Sequence, residues 1–207
     1  MTFVEHYSQR SLLMRVRFER WEEVLAAPAP PEERIHARAI WRYARGRALA
    51  AAGEPAAAAE ELAALRSAAT GEALRGVRLE FNPSQDVLGI AVEVLAGRIA
   101  EARGRWDEAV AHLREAVRRE DALLYGEPPE WSVPVRQELG EVLLAAGRPA
   151  EAGEAFRRVL DRFPDNGWSL NGLAGALEAR DRDAEARTVR RRFEEAWREA
   201  DVSLPLE

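Results

Sequence analysis

Apolar residues return at helical spacing through most of the chain, and in one stretch the period is plain. Val135, Leu139, Leu143 and Leu144 form a stripe, and Gly147-Arg148-Pro149 then interrupts it. Helical spacing resumes at Ala152, Ala155, Phe156, Val159 and Leu160, and Phe163-Pro164 closes the pair. Pro149 suits the first position of a second helix, where its missing N–H costs nothing. Strand-like alternation is confined to Val77–Phe81, while the strong helix formers Ala, Leu, Glu and Arg dominate. The expected fold class is all-α.

The same punctuation recurs. A glycine is followed seven residues later by a second glycine and five further by an alanine, at Gly46/Gly53/Ala58, Gly97/Gly104/Ala109 and Gly140/Gly147/Ala152. A degenerate copy reads Ala174/Asp181/Ala186, and in the first part of the chain Leu12 and Glu19 replace the glycines. Repetition of this kind predicts an array of similar units, each burying its apolar face against its neighbours. Small residues at Gly140 and Ala152 let two helices approach, and Leu143 and Phe156 fill the space toward the next pair.

This pattern resembles the tetratricopeptide repeat, a helix-turn-helix unit of about 34 residues. Leu139, Gly140, Gly147, Ala152, Phe156 and Pro164 carry the resemblance. It implies an α-solenoid of antiparallel helix pairs, a single superhelical domain over 1–207. Its units are expected at approximately 5–38, 39–65, 90–120, 133–166 and 167–200. In the first unit the second helix is cut short by Pro28, Pro30 and Pro31. The segments around Tyr125–Pro134 and Asn166–Leu170 are similar to stretches toward the C-terminal end of larger bacterial tetratricopeptide proteins. The chain is therefore expected to be a truncated relative or an excised domain, with Leu206-Glu207 fitting a cloning remnant.

The period is not uniform. Leu12, Gly46, Gly97, Gly140 and Ala174 are separated by 34, 51, 43 and 34 residues. Insertions are expected at approximately 66–89 and 121–132, and in solenoids such insertions often carry function. The first should extend a helix to Arg75 and then loop through Gly76 and Asn82-Pro83. The second should begin as a helix extension and end in a turn pre-ordered by Pro128-Pro129. Within it Tyr125, Glu127 and Trp131 are candidate ligand contacts, with Trp131 alternatively stapling the loop onto neighbouring helices.

The resemblance also implies that first helices line a concave groove. Carried over by register, groove positions include His6, Gln9, Arg17, Tyr43, Arg47, Val94, Arg98 and Glu101, then Gln137, Glu141, Trp168, Asn171 and Glu178. Arg17, Arg47 and Arg98 suit a bidentate carboxylate or phosphate site; alternatively each pairs with a nearby Glu. Tyr43 and Trp168 are candidate aromatic anchors. The Lys- and Asn-based clamp of tetratricopeptide domains that grip acidic chaperone tails is not present as such, because the chain has no Lys.

Composition narrows the function classes. Net charge is -6 with no Lys among the 30 basic residues, which argues against general nucleic-acid or membrane-surface binding. The run Arg190-Arg191-Arg192 sits among Asp181, Asp183, Glu185, Glu194 and Glu195, so local charge is nearly balanced. Cys is absent, which removes disulfides, thiolate metal sites and Cys nucleophiles. His6, His36 and His112 are too scattered to suggest a catalytic or metal centre. Glu108 and His112 share a helix face but reach no further ligand type, so they read as a solvated pair. Glu60-Glu61 likewise reads as solvated surface. No phosphate-binding loop, Rossmann glycine pattern or nucleophile elbow occurs. No catalytic residue, metal or cofactor is expected. With no signal peptide or membrane span in the sequence, a cytoplasmic location is expected.

These features together predict a non-catalytic scaffold that binds a peptide or partner helix in a concave groove. Two alternatives stay open: an assembly domain that self-associates through the helix around Phe193 and Trp197, or a small-molecule sensor with its site at the inserted loops.

Overall fold

The computed structural model describes residues 2–202 and 204; Leu206 and Glu207 lie outside the described residues. Packing divides the chain into two compact units, Met1–Val133 and Pro134–Glu207. The first contains α1 (Thr2–Ser8), α2 (Arg10–Arg17), α3 (Trp21–Ala26), α4 (Ile35–Ala51), α5 (Pro55–Thr70), α6 (Ser84–Ala102) and α7 (Trp106–Asp121). The second contains α8 (Val135–Ala145), α9 (Pro149–Leu160), α10 (Gly167–Glu178) and α11 (Asp183–Ala196). The described residues form no strand, and the Val77–Phe81 alternation resolves into an isolated β-bridge between Arg78 and Pro83. The fold is an all-α array of consecutive helix pairs.

One backbone device closes five hairpins, α2/α3, α4/α5, α6/α7, α8/α9 and α10/α11. The second glycine of each repeated motif is left-handed, with φ of 76° at Gly53, 69° at Gly104 and 72° at Gly147. Glu19 and Asp181 hold the same conformation at 54° and 56°, although both carry a Cβ. In each turn the following N–H reaches back to a carbonyl five residues earlier: Arg20 to Arg15, Glu54 to Leu49, Arg105 to Ala100, Arg148 to Leu143 and Arg182 to Leu177. The left-handed residue itself donates three residues back, as from Gly147 to Leu144 at 3.0 Å. This is the Schellman arrangement, which satisfies the last carbonyls of the first helix and reverses the chain. Pro55 and Pro149 then begin second helices at a position that needs no N–H.

The first glycine of the motif does different work, because its missing Cβ makes room. A Cβ on Gly140 would lie 2.6 Å from the Phe156 ring, and one on Gly172 would lie 2.3 Å from the same ring. Phe156 of α9, 1% exposed, therefore sits between glycines of α8 and α10. In the first unit Gly97 accommodates Leu113, and Gly46 of α4 accommodates Leu95 of α6. The latter contact stacks one first helix on the next.

The insertions differ in detail from the sequence expectation. Helix α5 stops at Thr70 and does not run to Arg75; Gly71 turns extended, with ψ at 148°, and only a short 3-10 turn, Glu72–Leu74, follows. The second insertion does not extend α7 beyond Asp121, and Ala122 and Leu123 add one non-helical turn. Glu61 is not solvated surface. It is 7% exposed and held by Arg42 at 2.8 Å and Arg45 at 3.1 Å, which ties α5 to α4.

If the left-handed turn carries the backbone strain, Gly104→Ala should cost about 1 kcal/mol, since nothing lies within 4 Å of the added Cβ. Asp181→Gly should instead gain about 0.5 kcal/mol, the strain relieved less the entropy of an added glycine. Urea unfolding of both variants checks the pair of signs.

Candidate functional site

The two insertions, far apart in sequence, meet at one buried carboxylate. Glu130 is 3% exposed, and its Oε1 accepts the backbone N–H groups of Glu80 and Phe81, each at 2.9 Å, and of Asn82 at 3.4 Å. The Asn82 carboxamide donates to Oε2 of the same carboxylate. It also donates to the Leu124 carbonyl at 3.0 Å and accepts from the Leu124 N–H at 2.7 Å. Burial pushes the Glu130 pKa up, but the donors from Phe81, Asn82 and Glu80 outweigh it and hold the carboxyl below its ordinary value. A buried carboxylate so provided with donors acts as a peg.

The N-terminal helices rest on the same loop. The Tyr7 hydroxyl donates to the Pro128 carbonyl at 3.2 Å and Arg10 to the Pro129 carbonyl at 3.0 Å, with the Arg10 guanidinium over the Tyr7 ring. The Glu127–Pro128 peptide is cis. Trp131 is 6% exposed and meets the ring of Tyr43 edge-on, 5.5 Å between centroids. Trp131 therefore staples the loop onto α4.

Two histidines that looked scattered in sequence are in contact. His6 Nδ1 lies 3.0 Å from His36 Nε2, and His36 Nδ1 lies 2.7 Å from Ser84 Oγ. All three residues are at most 1% exposed. The proton order follows from the far end of the chain. His6 donates to the Glu130 backbone carbonyl, so its Nδ1 must accept. His36 then donates from Nε2, and the Ser84 hydroxyl donates to His36 Nδ1. Every donor and acceptor is used with both rings neutral. Burial, reinforced by His6, lowers His36 to about 3, and burial also lowers His6. Nucleophilic chemistry at Ser84 would need access that its complete burial denies.

The groove positions divide by environment. In the first unit, Arg17, Arg47 and Arg98 are half-buried, whereas His6, Tyr43 and Val94 are buried. Arg47 donates to the Tyr43 hydroxyl at 2.8 Å, and Arg98 pairs with Glu101 at 3.1 Å. In the second unit, Gln137 is 3% exposed and donates to Glu141 at 3.0 Å. Asn171 accepts from Arg190, which also grips Glu178. Trp168 meets Trp197 edge-on at 4.8 Å, and Trp197 stacks on Phe193 at 5.8 Å and donates to the Val202 carbonyl. The loop residues Tyr125 and Glu127 are exposed and hydrogen-bonded to each other.

Against this geometry, residues 143–192 match the tetratricopeptide repeat family model. That stretch resembles a tetratricopeptide repeat. The fold of the chain as a whole is similar to a solved structure described as Podosopora anserina putative kinesin light chain nearly identical TPR-like repeats. The identity is 21%, over 97% of this chain and 96% of that one, with a TM-score of 0.56. A second structure, of a point variant of that same protein, gives 0.57 at the same identity and coverage. No curated protein matches the chain.

The remaining chemical candidates are held by other side chains. His112 pairs with Glu93 across α6 and α7 at 2.7 Å, and not with Glu108, which Arg105 holds at 2.9 Å. The described residues contain no group of three or more His, Cys, Asp or Glu placed to hold a metal. Arg191 and Arg192 of the basic run reach Thr188 and the Pro164 carbonyl. No helix among the described residues is long and apolar enough to cross a membrane.

Glu130→Ala should destabilise the chain by about 2–4 kcal/mol, because it strands backbone donors that no other group satisfies. Hydrogen exchange at Phe81 and Asn82 should rise with it, which a loss of general packing alone would not localise. The histidines give a second check. Their folded pKa values lie below that of an unfolded histidine, so the unfolded chain binds more protons as pH falls below about 6.5. Stability should therefore hold above that pH and fall below it, by at most about 1.4 kcal/mol per pH unit for each histidine. His36→Gln should flatten the slope between pH 6.5 and 5 in urea melts.

Proposed function

We propose that this chain is a non-catalytic interaction scaffold that holds an extended peptide or a partner helix against the faces of its first helices. Tetratricopeptide repeats generally mediate protein–protein interaction, and that coarse role comes with the fold. The observation that supports the finer reading is the direct stacking of first helices within each unit: α4 on α6, and α8 on α10. Such stacking builds a pre-formed surface, so binding orders little of the scaffold itself.

In the first unit the recognition chemistry would come from Arg17, Arg47 and Arg98, whose guanidinium forks suit carboxylates. Tyr43 would hold Arg47 in place through the hydrogen bond between them. In the second unit Asn171 and Trp168 would offer an amide and an aromatic edge, while Gln137, 3% exposed, would support them from below. The partner favoured by the first surface is an acidic segment of a protein. Self-association through Phe193 and Trp197 gains no support, since both rings stack within the chain.

The experiment is a pull-down from native lysate with the wild-type chain and an Arg47→Glu/Arg98→Glu double variant, read by mass spectrometry. A protein captured by the wild type should be lost, with affinity down about tenfold or more in a follow-up titration. Unchanged capture by a folded double variant would overturn the groove reading.

A further inference from the structure

Three of the large apolar side chains left exposed by the described residues are gathered in one place. Phe81 belongs to the first insertion, and Leu124 and Tyr125 belong to the second; they are 39%, 63% and 67% exposed. Single exposed apolar residues are ordinary, whereas a contiguous group marks a contact surface. Here the grouping is enforced. Asn82, next to Phe81, pairs with both the N–H and the carbonyl of Leu124. Gly126 lies flat on the Phe81 ring, so closely that a Cβ there would fall 2.8 Å from Cδ2. Glu130 then pins the backbone N–H groups of Glu80, Phe81 and Asn82.

Phe81 and Leu124 thus stand on backbone whose N–H and C=O groups are already satisfied. A partner that covers them would not have to order the loops, which removes a cost that usually erodes affinity. The rim chooses the partner's charge. Glu80 and Glu127 are exposed beside the aromatic rings, while the nearby Arg78 bends back to the Phe81 carbonyl and Arg75 to Glu72. Aromatic faces attract cations as well, through their ring quadrupoles.

We propose that the corner formed by Phe81, Leu124 and Tyr125 is a docking surface for a partner-protein segment that carries aliphatic residues flanked by Arg or Lys. None of the three is a groove position, although the same loop packs Trp131 on Tyr43, and the proposal does not depend on the groove reading. The groove favours acidic segments; this corner favours basic ones.

The test pans a phage-displayed peptide library on the wild-type chain, with a Leu124→Asp variant for counter-selection. The enriched consensus is then synthesised and titrated by fluorescence anisotropy. Peptides combining Arg or Lys with aliphatic residues should be enriched. Their affinity should fall about tenfold or more in Leu124→Asp and in Tyr125→Ser, fall with added salt, and stay within about twofold in Arg47→Glu. Both loop positions are exposed, so thermal melts should show the variants folded. The proposal is overturned if no such peptide is enriched, or if the consensus binds the folded loop variants as well as wild type. It is also overturned by a wild-type dimer in sedimentation that Leu124→Asp dissolves, because the surface would then belong to a second copy.

Discussion

Everything in this fold depends on a chain reversal made the same way five times. A helix ends, one residue enters the left-handed region, and the next N–H returns to a carbonyl of the last turn. That single bond fixes the angle at which the second helix leaves, and so determines which faces of the two helices meet. The cost is local strain where the residue is not glycine, as at Glu19 and Asp181, roughly 1–2 kcal/mol per site. Its persistence there shows that the packing of each pair outweighs the strain. Contacts such as Phe156 between Gly140 and Gly172 then follow, because the turn has already brought the right faces together.

The insertions obey a different constraint. A long irregular segment that lies against helices must satisfy its own backbone donors and acceptors, since packing alone cannot. Glu130 solves this for residues 80–82, and Asn82 solves it for Leu124. The Ser84–His36–His6 chain extends the same logic inward, using each proton once and ending on the Glu130 carbonyl. All three side chains of this relay are buried. Its proton order also makes the first unit sensitive to acid, because charging either ring is opposed by burial.

The two proposed surfaces differ in origin. The proposed groove draws on the first-helix side chains Arg17, Arg47 and Arg98. The insertions supply a small, rigid, apolar corner with carboxylates at its edge, which no repeat unit would produce. Each stands or falls on side-chain substitutions that leave the turns and the Glu130 lattice intact.

The sequence by itself determined the all-α class and the pairing of consecutive helices. Those features are local: a period of apolar residues, a left-handed glycine and a proline at a helix start each act within a few neighbours. Even the degenerate turns at Glu19 and Asp181 were legible, because the neighbouring copy fixed the register of each. Tertiary structure alone decided the rest. Nothing near Glu130 in the chain says that its carboxylate will meet Asn82, and nothing near His6 points to His36. Trp131 could have faced a ligand or a helix, and only the position of Tyr43 settles that it packs on α4. Such pairings depend on where two long loops are carried by the helices between them. Summed over several hairpins, that displacement is a property of packing, and no local pattern encodes it.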